Sequence, residues 1–430
     1  MSDTSVAGER SPKKIDGKIT DDDIERQRRQ IGVPQFTHAQ AFNWAVSGDV
    51  IRHYAFGFVG DDNPLWHDPE YGKTTRWRGQ IAPPLFASST GLNETPKPTP
   101  ETKALFKGLY RGVGRYNVGT NWSFFMPIRP GDQLYLETSV SDVEVKESSS
   151  FSGSRTVLER YRHLYVNSNG EPVAVRCESF VNAERGGSKK LSRHAGVQRH
   201  VYSEAEIAEI DARYAAEVTR GATERWWEDV SVGDELVPVV KGPLGMIEVI
   251  AAHLGWGIGP TYGAGPLRYG WKNRERIPAF YVEDKYGVPA SMMRVHWDQE
   301  RAEDLGLPAP YDYGQMRSNW IAHLVTNWMG DDGWLTQLST DIRMFNFHGD
   351  TTLCTGQVVA KRDVDGRHLV DLDLRATNQR DEVTVIASAT VTLPSRDQGP
   401  VILPRADSDL LRRGAVMMET ASRHVQSLQA

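Results

Sequence analysis

Apolar and polar residues alternate with a period of two through several long runs in each half of the chain, the mark of half-buried strands. NWSFFMPIRPGDQLYLETSV (Asn121 to Val140) aligns with TDIRMFNFHGDTTLCTGQVV (Thr340 to Val359), so that Gly131-Asp132 falls on Gly349-Asp350. A Gly-Asp pair between two alternating runs predicts a hairpin turn. Farther on, Glu171 to Arg185 matches Glu382 to Arg396 in length and alternation, and each follows another strand-like run. The chain therefore reads as a duplication, each half ending in an antiparallel meander.

Ahead of the strands the spacing becomes helical. Val50, Ile51, Tyr54, Ala55 and Phe58 recur on one face after Asp49, a candidate N-cap; Met246, Ile247, Ile250, Ala251 and Leu254 do the same after the Gly242-Pro243 break. One apolar helix followed by four or five strands predicts, in each half, an α+β unit with its sheet wrapped around a buried helix. Between the halves, Ser203 and Glu206 form a capping-box pattern, Ile207, Ile210 and Tyr214 share a face and Gly221 supplies a stop, which predicts a helical linker. The chain divides into a disordered or extended N-terminus (1–21), a first domain (22–190), a helical linker (191–225), a second domain (226–400) and a C-terminal tail (401–430).

Composition narrows the class. The 430 residues are 39% hydrophobic and 25% charged, a globular profile that suits two domains. A net charge of −6 without a basic block argues against nucleic acid as a partner. Two cysteines far apart, Cys177 and Cys354, make neither a disulfide framework nor a thiolate metal site. With no apolar leader and no long apolar run, the expected setting is cytoplasmic and no membrane is involved. Gly-rich GWGIGPTYGAGPLRYG lacks the dinucleotide fingerprint and reads as a long loop, a candidate lid. Serine-hydrolase, zinc-protease and Walker motifs are absent from the sequence. Neither a metal nor a cofactor is expected.

The most informative stretch is Tyr54 to Phe86, YAFGFVGDDNPLWHDPEYGKTTRWRGQIAPPLF. Gly60, Asp61, Asn63, Pro64 and Leu65 stand in the order and spacing of the R-specific enoyl-CoA hydratase motif, Gly-Asp-x-Asn-Pro-aliphatic-His. Trp66 occupies the histidine position and His67 follows one residue later. In the second half, VHWDQERAEDLGLPAPYDYG (Val295 to Gly314) resembles the continuation of the motif, with His296, Asp298 and Ala302 in register; Ser291 stands five residues before His296, where the family has aspartate. The chain thus resembles the MaoC-like acyl-CoA hydratase/dehydratase family from about Asp22 to Pro394. The resemblance implies tandem hot-dog domains paired as a double hot-dog pseudo-dimer, and an acyl-CoA thioester as partner and substrate, with further assembly into a homodimer or larger homo-oligomer. The implied activity is a hydro-lyase of fatty-acid or steroid-type catabolism, adding water to a 2-enoyl-CoA to give the 3-hydroxyacyl-CoA.

Such a reaction needs a base for water, an acid for the α-carbon and donors for the thioester oxygen. Carried over from the family, Asp61 activates water with His67 or His296 as the imidazole partner. The substrate-binding candidates are Asn63, His253, Tyr311, Tyr313 and Gly314, and Arg76, Arg78, Arg294 and Lys272 are placed to meet the CoA phosphates. Plainer roles compete: Asp61 suits an Asx-turn, His67 a surface position, His253 a core histidine and Asp312 a helix cap. Trp66, Trp77, Trp297, Trp320 and Trp328 lie near the motifs; if they line the pocket, a flat or ring-bearing acyl group follows. Because one half keeps the aspartate and the other the histidine, a non-catalytic thioester-binding partner subunit is an alternative, and a hot-dog thioesterase is another.

Overall fold

The computed structural model describes residues 17–37, 41–148, 153–184, 196–257 and 265–429. The expected boundary near residue 190, most of the N-terminal segment and the middle of the Gly-rich loop lie outside these.

Four long strands form in each half where the alternation predicts them: β1 (Gly114–Phe124), β2 (Tyr135–Lys146), β3 (Thr156–Val166) and β4 (Pro172–Ala183), then β8 (Trp334–Ile342), β9 (Thr352–Val364), β10 (Arg367–Asn378) and β11 (Val383–Thr392). With the short β5 (Val239–Lys241) they make one nine-stranded sheet of order β2-β3-β4-β1-β8-β11-β10-β9-β5. The order is mirrored about the antiparallel β1–β8 pair, where Trp122 faces Leu338 and Thr120 faces Thr340. Two short strands, β6 (Tyr281–Glu283) and β7 (Pro289–Ser291), form a separate hairpin.

The Gly-Asp turns occur, but not as hairpins. β1 pairs with β4 and β8, and β8 with β1 and β11, so each turn carries the chain across its half-sheet to the far edge. The repeat is exact in local chemistry all the same: Asp132 accepts from the Arg129 amide and Asp350 from the Phe347 amide, each three residues back.

The expected helix of the first half is buried, and that of the second half is not. Gly48–His53 passes into a π-helical turn, Tyr54–Val59, with Ser47 rather than Asp49 as N-cap. Its counterpart Met246–Trp256 lies against it, but leaves Met246, Ile247, Ile250 and Leu254 on the surface. The sheet instead wraps Gly314–Met329, the central helix, in which all residues from Gln315 to Met329 are buried. Its apolar positions, among them Met316, Ile321, Leu324 and Val325, meet Leu338, Leu372 and Leu374 in the main core. Each such side chain contributes roughly 1.5–3 kcal/mol on full burial. The first half has only a 3-10 turn at the matching place, Pro84–Ser89.

The linker helix forms as expected, Glu204–Ala215, with the Ser203–Glu206 capping box closed in both directions. The expected C-terminal tail is instead the helix Ser408–Gln429. It lays Met417 on Leu164 and Val166 of β3. No helix among the described residues is long and apolar enough to cross a membrane.

The seam between halves depends on Gly119, at a bulge in β1 with φ of 152°; a Cβ there would lie 2.2 Å from the Thr340 carbonyl oxygen. Gly119→Ala is therefore expected to lower stability by about 1–3 kcal/mol, read as a lower urea midpoint.

Candidate active site

Asp68 and Asp298 cap equivalent short helices, Pro69–Thr74 and Gln299–Asp304, through their carboxylates. Counting from these caps, Trp66 corresponds to His296 and His67 to Trp297, while Pro84 corresponds to Gly314, sixteen residues beyond each cap. The two halves thus carry the same histidine-tryptophan pair in opposite order.

In the first half the motif loop is closed on itself. Asp61 follows Gly60, a left-handed helix stop, and is fully buried. It accepts from the Asn63 amide at 2.9 Å and from Trp66 Nε1 at 2.7 Å, so the indole that replaces the family's imidazole still holds the carboxylate. The imidazole that approaches Asp61 is His323 of the central helix, 3.5 Å away. Lys241 Nζ donates to the Val59 and Gly60 carbonyls and to His323 Nδ1, at 2.7 Å. His323 Nδ1 accepts, so its Nε2 carries the hydrogen, between the Asn327 side-chain amide at 3.0 Å and Asp61 at 3.5 Å. Burial pushes the Asp61 carboxyl up and the Lys241 amine down, while the Lys241–Asp61 attraction opposes both. Asp61 therefore serves as an internal anchor. His67 is not its partner: it meets the Asp62 carbonyl at 3.0 Å and packs on Phe56, because the helix turn after Pro64 sends it outward.

In the second half, the histidine candidates and the Pro310–Gly314 segment converge. His296 packs on Tyr313 with ring centroids 4.0 Å apart and on Tyr311 at 4.7 Å, and His253 stacks on Tyr313 at 5.7 Å. Gly314 begins the central helix beside them. The His296 Nδ1 lies 2.8 Å from the Tyr311 carbonyl, which can only accept; the hydrogen is on Nδ1 and Nε2 keeps its lone pair. Burial lowers His296 and His253 to about 4, so both rings are neutral at neutral pH. The buried Tyr313 hydroxyl and His253 Nε2 have no hydrogen-bond partner. Asp312 does not cap the helix: it is buried against Arg317 at 2.9 Å, and burial raises it to about 7 against the pull of that guanidinium. No hydrogen bond or ion pair joins Asp61 to His296 among the described residues.

A third feature lies at the other end of the central helix. A narrow cavity of about 40 Å³ is walled by Trp66, Trp77, Phe124 and Trp334, with Asn63, Thr326 and Asp331 as its polar side chains. It is too small for the ring-bearing acyl group that the tryptophans suggested. Trp320 and Trp328 belong to the core, and Trp297 covers His253. Of the proposed phosphate ligands, Arg76 donates to the Asp332 and Val401 carbonyls; Arg294 is buried with its Nη1 on Asp298 while its Nε and Nη2 have no partner; Arg78 and Lys272 are exposed.

Lys241, His323, Asn327 and Asp331 went unread in the sequence. The last three recur every fourth residue, a signal of one polar helix face. No metal-binding group of three or more His, Cys, Asp or Glu occurs among the described residues.

Residues 30–176, about a third of the chain, match the family model for the FAS1-like dehydratase domain region. No curated protein matches the chain. Among solved structures, a MaoC-like dehydratase superposes with a TM-score of 0.57 at 16% identity, covering 85% of this chain and 99% of its own. A putative MaoC domain protein dehydratase from Chloroflexus aurantiacus gives a TM-score of 0.47 at 14% identity, covering 82% and 93%. A conserved hypothetical protein from Mycobacterium tuberculosis with a double hotdog fold gives 0.43 at 14%, covering 83% and 96%. The tandem hot-dog fold and the MaoC-like resemblance are borne out, with residues 30–176 carrying the likeness to a dehydratase domain region.

Removing Lys241 tests whether the Asp61 network is an anchor. Lys241→Met leaves the Val59 and Gly60 carbonyls and His323 Nδ1 without their donor, and should cost about 1–3 kcal/mol or more in chemical denaturation, as for buried acceptors left unpaired.

Proposed function

We propose that the protein is a hydro-lyase acting on a 2-enoyl thioester, with its acid-base centre in the second half at His296, Tyr313 and the start of the central helix. The observation that carries this reading is His296 itself: it stands at the family's histidine position, its Nδ1 locked by the Tyr311 carbonyl and its ring packed on a tyrosine whose buried hydroxyl has no partner.

The chemistry follows from those atoms. His296 Nε2 takes a proton from water as the water oxygen bonds to the β-carbon. The C=C electron pair moves toward the thioester oxygen, which receives hydrogen bonds from the Tyr313 hydroxyl and from the amides at the N-terminus of the 16-residue central helix. Return of the proton from His296 to the α-carbon completes the addition, and the reverse sequence is dehydration. Gly314 supports this role, because proline at the corresponding Pro84 has no amide hydrogen to offer. His253, stacked on the other side of Tyr313, fixes the phenol ring. No carboxylate takes the aspartate position, since Ser291 stands there, so the proton is carried by imidazole alone. Asp61 and Asn63, the family's motif residues, act here through the fold.

Incubation with 2-enoyl-CoA thioesters of graded length, followed by mass spectrometry, should show a gain of one water. His296→Gln should lower the rate by about 10²–10⁴-fold and Tyr313→Phe by a smaller factor. Retention of full rate in His296→Gln would reject the assignment. Absence of any water gain, with thioester binding intact, would favour a binding partner subunit; free CoA would mark a thioesterase.

The pH profile gives an independent check. A base whose pKa is lowered works down to low pH, because it stays unprotonated until the pH falls to that value. With His296 at about 4, kcat/KM should hold level through pH 6 and fall only on approach to 4. An acid limb near the ordinary histidine value would mean an exposed base instead.

A further inference from the structure

The cavity at the C-terminal end of the central helix has a chemistry of its own. It occupies the first half's counterpart of the His296 site, bordered by Trp66 and by Pro83 and Pro84 where the second half has His296, Tyr313 and Gly314. Sixteen helical residues separate the two ends, about 24 Å at 1.5 Å per residue, so this is a separate place.

Its walls offer almost no hydrogen-bond donor. The three indole N–H groups are all engaged: Trp66 with Asp61, Trp77 with the Asp331 carbonyl and Trp334 with the Phe124 carbonyl. Prolines 83 and 84 carry no amide hydrogen. The Asn63 oxygen accepts from the Leu65 amide, and the Thr326 hydroxyl donates to the His323 carbonyl.

One acceptor is left over. Asp331 is 4% exposed, and its Oδ2 receives the Tyr71 hydroxyl at 2.5 Å. Its Oδ1 is buried without a partner. A buried carboxylate oxygen in that state costs free energy until something donates to it. Water fills the space poorly: about 40 Å³ holds roughly three water positions, each wanting two to four polar partners, and the walls supply one free atom.

We propose that this cavity is a second binding site, for a small molecule with an apolar body of about three heavy atoms and a single hydroxyl that donates to Asp331 Oδ1, the class of short primary alcohols. The body rests between Trp66, Trp77 and Trp334, and the donor ends against the carboxylate.

The test uses the full chain and two isomers of the same formula, 1-propanol and methoxyethane, by saturation-transfer NMR. Only the alcohol carries a donor. The expected result is at least tenfold tighter binding of 1-propanol. In Asp331→Asn the amide oxygen is drawn to the Tyr71 donor and its NH₂ turns into the cavity, so the discrimination between the isomers should vanish. Ala82→Leu, which fills the cavity, should abolish binding of both. Equal binding of the two isomers by the unaltered protein, binding of neither, a preference unchanged in Asp331→Asn, or binding that survives Ala82→Leu would each overturn the proposal. The comparison on the unaltered protein decides the matter even if a variant fails to fold.

Discussion

A helix buried on every side must find partners for its polar residues inside the protein, and the central helix carries many of them. A buried polar group without a partner costs about 1–3 kcal/mol, so several left unpaired would exceed the stability of a typical domain. Gln315 reaches Glu178, Asn319 meets the Tyr54 hydroxyl and Ser318 meets Thr340. Arg317 donates to the Met344 carbonyl and His323 is held by Lys241. Glu178 and Tyr54 come from the first half, the other partners from the second. Neither half could bury this helix alone, and the nine-stranded sheet is continuous for the same reason: β1 and β8 close over a helix that needs both.

That requirement also separates the two copies of the motif. The loop at Asp61 lies on the face of the central helix that presents His323 and Asn327, so its carboxylate is drawn into a structural network and an indole suffices where the family has imidazole. His296 meets no carboxylate, and its surroundings are aromatic. A neutral imidazole beside a phenol is stable in such a place, whereas a charged pair would carry a desolvation cost of several kcal/mol per ion. The inverted order, Trp66-His67 against His296-Trp297, follows the same division: tryptophan faces inward in the half that anchors, histidine in the half with free polar atoms.

Much of this was legible in the residues and part was not. Period-two alternation marked the strands, and the Gly131 and Gly349 turns fixed the repeat, since both signals are local. The strand order was not readable there, because a turn's chemistry does not say which neighbour a strand joins; hence the hairpins that proved to be crossings. In the second half the wrong helix was taken for the core because Ile247, Ile250 and Leu254 are more apolar than Arg317, Asn319 and His323, whereas the first-half residues Ile51, Tyr54, Ala55 and Phe58 are buried as expected. Hydrophobicity measures the tendency to leave water, and it misleads where a polar residue is buried with its partner. At the site, His296, Tyr311, Tyr313 and Gly314 stood out in the motif segment and His253 as a lone histidine on an apolar helix, and the rings do pack together. Lys241 was missed because a lone lysine ending an apolar run reads as a strand edge, and its partner is 82 residues away.

The two ends of the central helix then differ for a reason built into the backbone. At its start the helix offers amide hydrogens, and the groups gathered there, a lone-pair nitrogen and a free hydroxyl, complement a substrate that develops negative charge on oxygen. At its far end the carbonyls and the Asp331 carboxylate make the surroundings rich in acceptors, and the indoles that could have supplied donors are spent on the chain itself. An oxyanion has no place there, so a duplicated catalytic site at that end would have had to act against the helix dipole as well as without Gly314. The indole of Trp66, donating to Asp61, suits this end of the helix better than an imidazole base would.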